Sequence, residues 1–404
     1  MKIPEKYHDF KRNGMTCRYG IYGLSRDYYQ AGSEPPVENR EIRISLNPPK
    51  LKVMQTVITE RCNLKCAYCS CKANGPKIPY SDMTGPELKH WTDFFNREIG
   101  ESGLLLITGG EPEMYPEAVD HLVGNIRGKV IIFTNGTLTT RARLEKYREC
   151  DAGVLFSLDG DLEAHDAARF KKGGSFAEVD RALKMAQEME FDFGISAVVG
   201  DHNIDHLPRL VEHIFEEYRP SSMGLNLPHL YGKKVWERMD EYTDALMEIF
   251  RFARKEGLFI DQINRRLAPF VKQEFRVRDC SAQGEKMVVY PGGTVHSCVN
   301  ENSLGKLSVD WERQIPLNHP DCSDCFAIGI CGGGCLFDGN AIYGAGCFDQ
   351  RNCRFVRRFL EFLIWDFYDE LGSRAGDRTA ACDFVSGMLS RQGKTKLSVG
   401  HDTI

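Results

Sequence analysis

The chain has 404 residues, of which 42% are hydrophobic and 27% charged, so it can bury one large core or two smaller ones. Its net charge of −5 and pI near 6.2 argue against a nucleic-acid binder that works through a basic face. It contains no apolar run of membrane-spanning length and no signal-peptide pattern at its polar N-terminus, so we predict a cytoplasmic protein that does not engage a membrane.

Residues 1–50 form a polar N-terminal extension without a clear hydrophobic period. Residues 51–230 alternate short apolar runs with amphipathic segments, and the continuous hydrophobicity of the runs predicts strands buried on both faces of a parallel sheet. Such repeated units predict an α/β barrel or a doubly wound sheet. The six runs are 52–59, 104–108, 129–134, 153–158, 193–199 and 222–227. Two predicted helix starts have capping-box spacing, Thr84 with Glu87 and Ser175 with Glu178.

Residues 231–279 are predicted to be a helical connection. In residues 280–353 cysteines and glycines replace long apolar runs, so metal binding would supply part of the folding energy. Residues 354–404 begin with FVRRFLEFLIWDFY (355–368), which is apolar around most of its girth and predicts a buried helix followed by a tail.

The chain has 15 cysteines, and clustered thiols in a cytoplasmic protein indicate metal ligands rather than disulfides. Cys62, Cys66 and Cys69 have CxxxCxxC spacing directly after the first predicted strand. Three thiolates can hold three irons of a [4Fe–4S] cluster and leave the fourth iron without a protein ligand. A structural zinc site, with Cys71 as the fourth ligand, is the alternative.

Short polar motifs close the next predicted strands. They are TGGEP (108–112), TNG (134–136), SLDG (157–160) and AVVG (197–200). Together with the cysteine loop and its aromatic residue Tyr68, this series resembles the radical S-adenosylmethionine (SAM) superfamily. The resemblance implies an α/β fold, namely a partial (β/α)6 radical SAM barrel with a C-terminal cysteine-rich iron-binding loop and a helical C-terminal region. It also implies that one electron from an external reductant cleaves SAM to methionine and a 5′-deoxyadenosyl radical.

The resemblance further implies the roles of individual residues. The three cysteines would ligate the cluster, whose open iron would chelate the amino and carboxylate groups of SAM. Gly109, Gly110 and Glu111 would hold the amino group, because glycines allow close backbone approach and a carboxylate accepts from an ammonium. The remaining SAM ligands would be Asn135, Ser157 and Asp159 for ribose hydroxyls or the carboxylate, Arg169 for the carboxylate, and Tyr68 and Val199 beside the adenine. For Arg169 the alternative is a solvated surface position.

Tyr115 follows the TGGEP motif by three residues and is the candidate catalytic residue. We expect it near the cluster, where its phenolate oxygen could occupy the open iron before SAM binds. The alternative is a tyrosine that packs in the core or lines the substrate site.

A second group of cysteines resembles the SPASM module, which implies auxiliary iron sites. The segment 322–335 contributes Cx2Cx5Cx3C spacing through Cys322, Cys325, Cys331 and Cys335. Under this resemblance the first three, with Cys347 or Cys353, would hold one cluster, and Cys335 would belong to another cluster with Cys280 and Cys298. A mononuclear iron held by the four cysteines of 322–335 and a structural zinc are the alternatives.

The whole chain also resembles the methanogenesis marker 10 proteins. The features that carry this resemblance are the tyrosine-rich segment 17–32, the GGEPEMY loop, the compact cysteine loop and the aromatic C-terminal helix. It implies a cobalamin-dependent radical SAM methyltransferase that acts on an arginine of the methyl-coenzyme M reductase α subunit. Because the common DxHxxG cobalamin motif is absent, we expect cobalamin at an unconventional site beside the helix predicted over 355–368.

The alternative enzyme is a SPASM-type maturase that crosslinks or oxidises a ribosomal peptide. The 50 residues before the first predicted strand are short for the N-terminal peptide-binding domain that such enzymes often carry. A non-enzymatic iron–sulfur carrier would need neither GGEP nor SLDG. The sequence therefore predicts radical methylation of a protein arginine, with peptide maturation as the alternative.

Overall fold

The computed structural model describes residues 1–47, 49–69, 81–228, 237–300 and 314–394. Cys71, which the sequence offers as a fourth zinc ligand, lies outside these ranges. The strands of the described residues are β1 (Lys2–Pro4), β2 (Tyr7–Arg12), β3 (Met15–Gly20), β4 (Arg26–Gln30), β5 (Glu41–Arg43), β6 (Val53–Val57), β7 (Lys65–Cys66), β8 (Leu104–Thr108), β9 (Lys129–Thr134), β10 (Gly153–Ser157), β11 (Arg169–Phe170), β12 (Phe193–Val198), β13 (Ser222–Asn226), β14 (Phe259–Ile260), β15 (Lys286–Val289) and β16 (Val295–His296).

The α-helices lie mostly between these strands. They are α1 (Gly85–Glu98), α2 (Pro116–Asn125), α3 (Arg141–Glu149), α4 (Leu162–Ala168), α5 (Phe176–Glu188), α6 (Leu207–Tyr218), α7 (Met239–Glu256), α8 (Asp261–Lys272), α9 (Ile328–Cys331), α10 (Leu336–Tyr343), α11 (Gln350–Leu371), α12 (Arg378–Phe384) and α13 (Ser386–Lys394). Within the described ranges, every helix is too short or too polar to cross a bilayer.

The central sheet confirms the predicted α/β barrel architecture. Its strand order is β14-β13-β12-β10-β9-β8-β6-β15-β16, and all neighbours from β14 to β15 are parallel. The six predicted apolar runs correspond to β6, β8, β9, β10, β12 and β13 within two residues at either end. Their continuous hydrophobicity arises because one face meets the helices and the other closes around an interior. The sheet is therefore a partial barrel of six strand–helix units.

Side-chain alternation decides which strand residues reach the barrel interior. Gln55, Thr108, Phe133, Ser157 and Asn226 line interior cavities, although they come from five different strands. The residues that precede them in sequence are buried and line neither cavity; they are Met54, Ile107, Ile132, Phe156 and Leu225. An open sheet that places five strands around one space must be strongly curved, so the interior of the barrel is available for ligands.

The cysteine-rich region is attached to the first barrel strand. β15 pairs in parallel with β6, with Lys286 opposite Val53 and Val289 opposite Thr56. This pairing was not predicted from sequence, because KMVV is a short apolar run inside a segment dominated by cysteines and glycines. It brings the residues that precede β15 under the barrel interior.

One of the two predicted capping boxes is confirmed. The Thr84 hydroxyl accepts from the backbone N–H of Glu87, and the Glu87 carboxylate accepts from that of Thr84. Ser175 does begin α5 but makes no side-chain cap. Its hydroxyl is instead 2.9 Å from the carbonyl oxygen of Arg169, to which it donates. The capping-box prediction for Ser175 was therefore wrong, because a tertiary acceptor competes for its hydroxyl.

Residues 1–50 are more ordered than their sequence indicated. β2, β3 and β4 form an antiparallel sheet, and β1 pairs with β5. The rings of His8 and Phe10 pack on Phe326 of the cysteine-rich region, at centroid distances of 4.4 and 5.4 Å. The N-terminal sheet therefore covers the cysteine-rich region, and its strands are missed because polar residues occupy their outer positions.

The helix predicted over 355–368 lies within α11 and is buried as expected. Phe359, Leu363 and Phe367 are fully buried, and the Phe250 ring of α7 packs edge-on to Phe359 at a centroid distance of 6.4 Å. The Tyr28 hydroxyl of β4 donates to the Ile364 carbonyl at 2.8 Å. The apolar faces of α11 are thus covered by the protein itself.

Candidate active site

The CxxxCxxC loop lies at the C-terminal edge of the barrel. β7, which contains Cys66, pairs with β11, and Arg169 lies directly opposite Cys66. Backbone N–H groups point at the sulfurs, as that of Leu64 donates to Cys62 Sγ at 3.4 Å. Such N–H···S contacts favour thiolates and are common around iron–sulfur clusters.

The TGGEP segment is fastened to this loop by backbone hydrogen bonds. The N–H of Gly110 donates to the Thr59 carbonyl at 2.8 Å, and that of Glu111 to the Arg61 carbonyl at 2.7 Å. A Cβ atom on Gly110 would lie 2.2 Å from the Arg61 oxygen. Glycine is therefore required here so that the two backbones can approach each other.

A cavity of about 340 Å³ opens between the cysteine loop and the strand ends. Most of the residues predicted to bind the cluster and SAM line it. They are Cys62, Cys66, Cys69, Tyr68, Gly109, Gly110, Glu111, Asn135, Ser157 and Arg169. Residues distant in sequence thus converge on one space because parallel strands end at the same edge of the sheet.

Glu111 is the most deeply buried acid of this cavity, with 1% of its surface exposed. Its carboxylate accepts from the backbone N–H of Asn135 at 2.7 Å and of Glu113 at 2.9 Å, and from the Thr134 hydroxyl at 2.8 Å. Burial, followed by the nearby charge of Glu113, raises the pKa of Glu111 despite these donors. The carboxyl therefore retains a proton at pH values where an exposed glutamate has lost it.

Asn63 was not singled out from the sequence but joins the cysteine loop to the TNG segment. Its side-chain oxygen accepts from Asn135 Nδ2 at 2.9 Å, and its Nδ2 donates to the Thr137 hydroxyl at 2.8 Å. Its position directly after Cys62 is the only sequence signal that could have indicated this role.

Asp159 lies behind the cavity wall, where it holds Arg169. The guanidinium of Arg169 binds its carboxylate in a bidentate manner, at 2.9 and 3.0 Å. The Tyr68 hydroxyl also donates to Asp159, and the N–H of Val198 does so at 2.9 Å. Burial alone would raise the pKa of Asp159, but the Arg169 guanidinium, His202 and the Tyr68 hydroxyl hold it well below its usual range. The side chains of Asp159 and Arg169 are both buried. Arg169 is therefore not a solvated surface residue, which was the alternative interpretation of this position.

One further predicted residue, Val199, lies slightly away from the cavity. Val199 is fully buried, and its neighbour Val198 lines the cavity instead. The alternation of β12 turns Val199 towards the helices. His202, which the sequence did not single out, lies beside Tyr68 and Asp159. Its ring centroid is 6.0 Å from that of Tyr68, and its Nε2 is 3.7 Å from the Asp159 carboxylate.

Tyr115 does not line the cavity. Its hydroxyl donates to the Met83 carbonyl at 3.1 Å, and its ring packs against the main core. Of the two interpretations left open by the sequence, this geometry favours a packed tyrosine.

Replacing Tyr115 with Phe is therefore expected to cost about 1 kcal/mol of unfolding free energy, the net value of one hydrogen bond. The electron paramagnetic resonance spectrum of the reduced cluster should be unchanged with and without SAM; a change confined to the SAM-free spectrum would indicate an iron ligand.

The C-terminal thiols fall into two groups. In the first, burial is the largest cause that raises the pKa values of Cys322 and Cys331 to about 12. The charges of Cys353 and Cys325 also raise the pKa of Cys322, and the charge of Cys353 also raises that of Cys331. In the second, burial, Asp338 and the charges of Cys298 and Cys280 raise the pKa of Cys335. We name these groups the four-thiol group (Cys322, Cys325, Cys331, Cys353) and the three-thiol group (Cys280, Cys298, Cys335).

Both groups have the surroundings of iron–sulfur ligands. Backbone N–H groups of Gly333 and Asp338 donate to the sulfurs of Cys331 and Cys335, at 3.4 and 3.5 Å. Among the described residues, no three His, Cys, Asp or Glu side chains are arranged to chelate a single metal ion. Buried thiols with raised pKa values need a bound cation to become thiolates. An iron–sulfur cluster supplies several irons over which the negative charge of the thiolates is spread.

A second cavity of about 430 Å³ continues the first towards the three-thiol group. The two cavities share the lining residues Gln55, Thr108, Phe133 and Asn226. Cys280 and Cys335 line its far side. The barrel interior therefore connects the CxxxCxxC loop with the C-terminal thiols.

Comparison with known proteins agrees with this geometry. Residues 56–214 match the radical SAM superfamily. The antilisterial bacteriocin subtilosin biosynthesis protein AlbA of Bacillus subtilis is 26% identical over 304 residues, which are 68% of this chain and 65% of AlbA. The serine-type anaerobic sulfatase-maturating enzyme of Bacteroides thetaiotaomicron is 32% identical over 225 residues, 52% of either protein. The chain thus spans between about half and two thirds of the length of these relatives.

The solved structure of native anSMEcpe with bound AdoMet shares the fold. It superposes with a TM-score of 0.65 at 21% identity, and the match covers 81% of this chain and 100% of that one. The family match, the CxxxCxxC loop and the cavity lined by the strand-end motifs lead to one conclusion. Residues 56–214 form a radical SAM domain.

Proposed function

We propose that this chain is a radical SAM maturase that modifies a peptide or protein and uses two auxiliary iron–sulfur sites. The observation that carries the proposal is the barrel interior, which runs from the CxxxCxxC loop to a separate group of buried thiols. The names of two relatives support it, since one acts in bacteriocin biosynthesis and the other in sulfatase maturation. A peptide substrate would reach the radical source and an auxiliary site through one continuous space.

In this proposal Cys62, Cys66 and Cys69 hold the [4Fe–4S] cluster, and the cavity above them binds SAM. When bound, the reduced cluster supplies the electron that cleaves SAM. Arg169 pairs with the SAM carboxylate, and Glu111 accepts from its amino group beside the two glycines of the motif. Asn135 and Ser157 bind ribose hydroxyls, and Tyr68 lies beside the adenine. Asp159 is a positioning residue, because its carboxylate orients Arg169 and Tyr68 rather than SAM.

The buried Glu111 carboxyl predicts a pH effect on SAM binding. An ammonium group favours the ionised carboxylate, so SAM should displace the proton that burial keeps on Glu111. SAM affinity should therefore rise with pH until it passes the raised pKa of Glu111. The stability of the SAM-free protein should change in the opposite direction, because a raised folded-state pKa means that stability falls as pH increases through it.

Calorimetry in buffers of different ionisation enthalpy measures the released proton directly. The Glu111→Gln variant should release none and bind SAM at least about tenfold more weakly, as expected for loss of a charged hydrogen bond. The exposed Glu117→Gln is the matched control and should behave as the wild type. Wild-type affinity in Glu111→Gln would refute the role of this carboxylate.

The grouping of the C-terminal thiols favours Cys353 over Cys347 as a ligand, and it argues against a mononuclear iron on residues 322–335. Cys335 packs in one cluster with Cys280 and Cys298, whose charges also act on it, and this supports placing it in a separate ligand set. We expect Cys353→Ala to lower the iron content by about four atoms per chain, the content of one cubane. Cys347→Ala, the matched control, should leave it unchanged. The reverse result would assign the ligand to Cys347.

The cobalamin-dependent arginine methyltransferase receives less support. The apolar faces of α11, the predicted cobalamin wall, are covered by α7, α8 and the N-terminal sheet. No residue of α11 lines either barrel cavity. The residues present do not fit a cobalamin site there, so we derive no step through that cofactor.

Reductive cleavage of SAM tests the enzymatic part of the proposal. Protein reconstituted with iron and sulfide without oxygen should convert SAM to 5′-deoxyadenosine when dithionite is added. Failure of a cluster-replete sample to do so would favour an electron carrier. Methyl transfer from SAM to an arginine-containing peptide, dependent on added cobalamin, would instead favour the methyltransferase.

A further inference from the structure

The second barrel cavity has a charged floor below the proposed SAM site. Arg265, Lys286, Asp261 and Asp279 line it at the end farthest from the CxxxCxxC loop, together with Cys280 and Cys335. Leu106, Phe133 and Leu155 give the cavity wall an apolar part, and Ser196 and Ser222 also line the cavity. Such a cavity suits a side chain with a charged end and a hydrocarbon stem.

Cations outnumber carboxylates at this floor. Asp261 accepts from Arg265 at 2.6 Å. Asp279 accepts from Arg266 at 2.6 and 2.9 Å and from Arg276 at 3.2 Å. With Lys286, four cations therefore lie in or beside the floor, which has two carboxylates. Both carboxylates are already engaged, so the floor attracts an anion and offers little to a guanidinium.

Two of the cations that line the cavity retain donor capacity. The Nε–H of Arg265 is buried and has no acceptor among the described residues. Lys286 is half-buried, and no carboxylate of the described residues lies within ion-pair distance of its ammonium group. A buried donor without an acceptor is costly, and an anionic oxygen supplied by a ligand would satisfy it.

We propose that this cavity binds the carboxylate of an acidic residue in the peptide substrate, at Arg265 and Lys286. The inference rests on the proposed function, because it assumes a peptide that enters the barrel. A glutamate or aspartate anchored at the floor presents its methylene carbons along the apolar wall. These carbons then face the opening between the two cavities, where Phe133 and Asn226 line both of them.

An auxiliary cluster on Cys280 and Cys335 would also be anionic and is the competing use of these cations. The two uses are separable by measurement. Cations that serve the cluster should change its potential when they are removed, without discriminating between ligands. Cations that serve a substrate carboxylate should discriminate between an acid and its amide.

Binding of two small probes to the reconstituted, SAM-loaded protein tests the proposal. The probes are N-acetyl-glutamate methylamide and its glutamine counterpart, followed by saturation-transfer NMR. The wild type should bind the glutamate probe at least about tenfold more tightly than the glutamine probe. Arg265→Gln and Lys286→Gln should each lose this preference. Lys52→Gln is the matched control, because Lys52 pairs with Glu285 and lines neither barrel cavity.

Equal binding of both probes to the wild type would overturn the proposal without recourse to any variant. It would also be overturned if Lys286→Gln kept the preference while the auxiliary cluster potential shifted. Absence of SAM cleavage would overturn the proposed function instead. The probe comparison would still decide the carboxylate site, since it requires no turnover.

Discussion

Replacing Cys66 with alanine is expected to abolish 5′-deoxyadenosine formation and to remove about four irons per chain. Cys66 is one of three thiols on a loop held by the β7–β11 pair and by hydrogen bonds to the TGGEP segment. Two remaining thiolates cannot retain a cubane with a defined open iron. Cys66 is half-buried and its β7 pairing uses only backbone atoms, so the fold should survive the substitution.

The matched control is Cys150→Ala. Cys150 is also half-buried but lies at the end of α3, away from the cavity, and should affect neither iron content nor activity. Iron analysis and product quantification by chromatography check both variants. A triple variant without Cys62, Cys66 and Cys69 that still formed 5′-deoxyadenosine would contradict the assignment.

Replacing Asp159 with Asn is expected to have the second large effect. It leaves the buried Arg169 guanidinium without its carboxylate, and removing one partner of a buried ion pair costs about 3–5 kcal/mol. Unfolding by urea, followed by circular dichroism, measures this cost. Because the folded-state pKa of Asp159 is depressed, the wild type should lose this contribution as pH falls from the ordinary aspartate pKa to the depressed folded-state pKa, and the variant should not.

Two controls separate stability from SAM binding. Asp93→Asn breaks an exposed pair with Lys89 and should leave stability nearly unchanged. The double variant Asp159→Asn/Arg169→Met removes both charges and should regain much of the stability while SAM affinity stays low. Recovery of both properties would indicate that Arg169 has no part in SAM binding.

The barrel was predictable because its signals are local. Continuous apolar runs predict buried parallel strands, and the polar motifs at their ends must meet at one edge of the sheet. The spacing of the cysteine loop is likewise local, whereas the roles of Glu111 and Arg169 were predicted from the resemblance to the radical SAM superfamily. The N-terminal sheet was missed because its strands carry many polar residues, and β15 because it is short and surrounded by cysteines.

Other details depend on tertiary partners that no sequence pattern contains. The pairing of Asp159 with Arg169, ten residues later, gives Asp159 a positioning role that its motif alone does not reveal. The choice of Val198 over Val199 depends on the exact end of β12. The division of seven thiols into two groups depends on the packing of α11, which carries Cys353, beside the loop that carries Cys322 and Cys325.

Iron and cobalt content of one sample tests the central claim most directly. Protein should be purified and reconstituted without oxygen, exposed to hydroxocobalamin and desalted before analysis. A peptide maturase with two auxiliary clusters predicts about twelve irons per chain and no retained cobalt. About four irons together with about one cobalt per chain would contradict it and favour the methyltransferase.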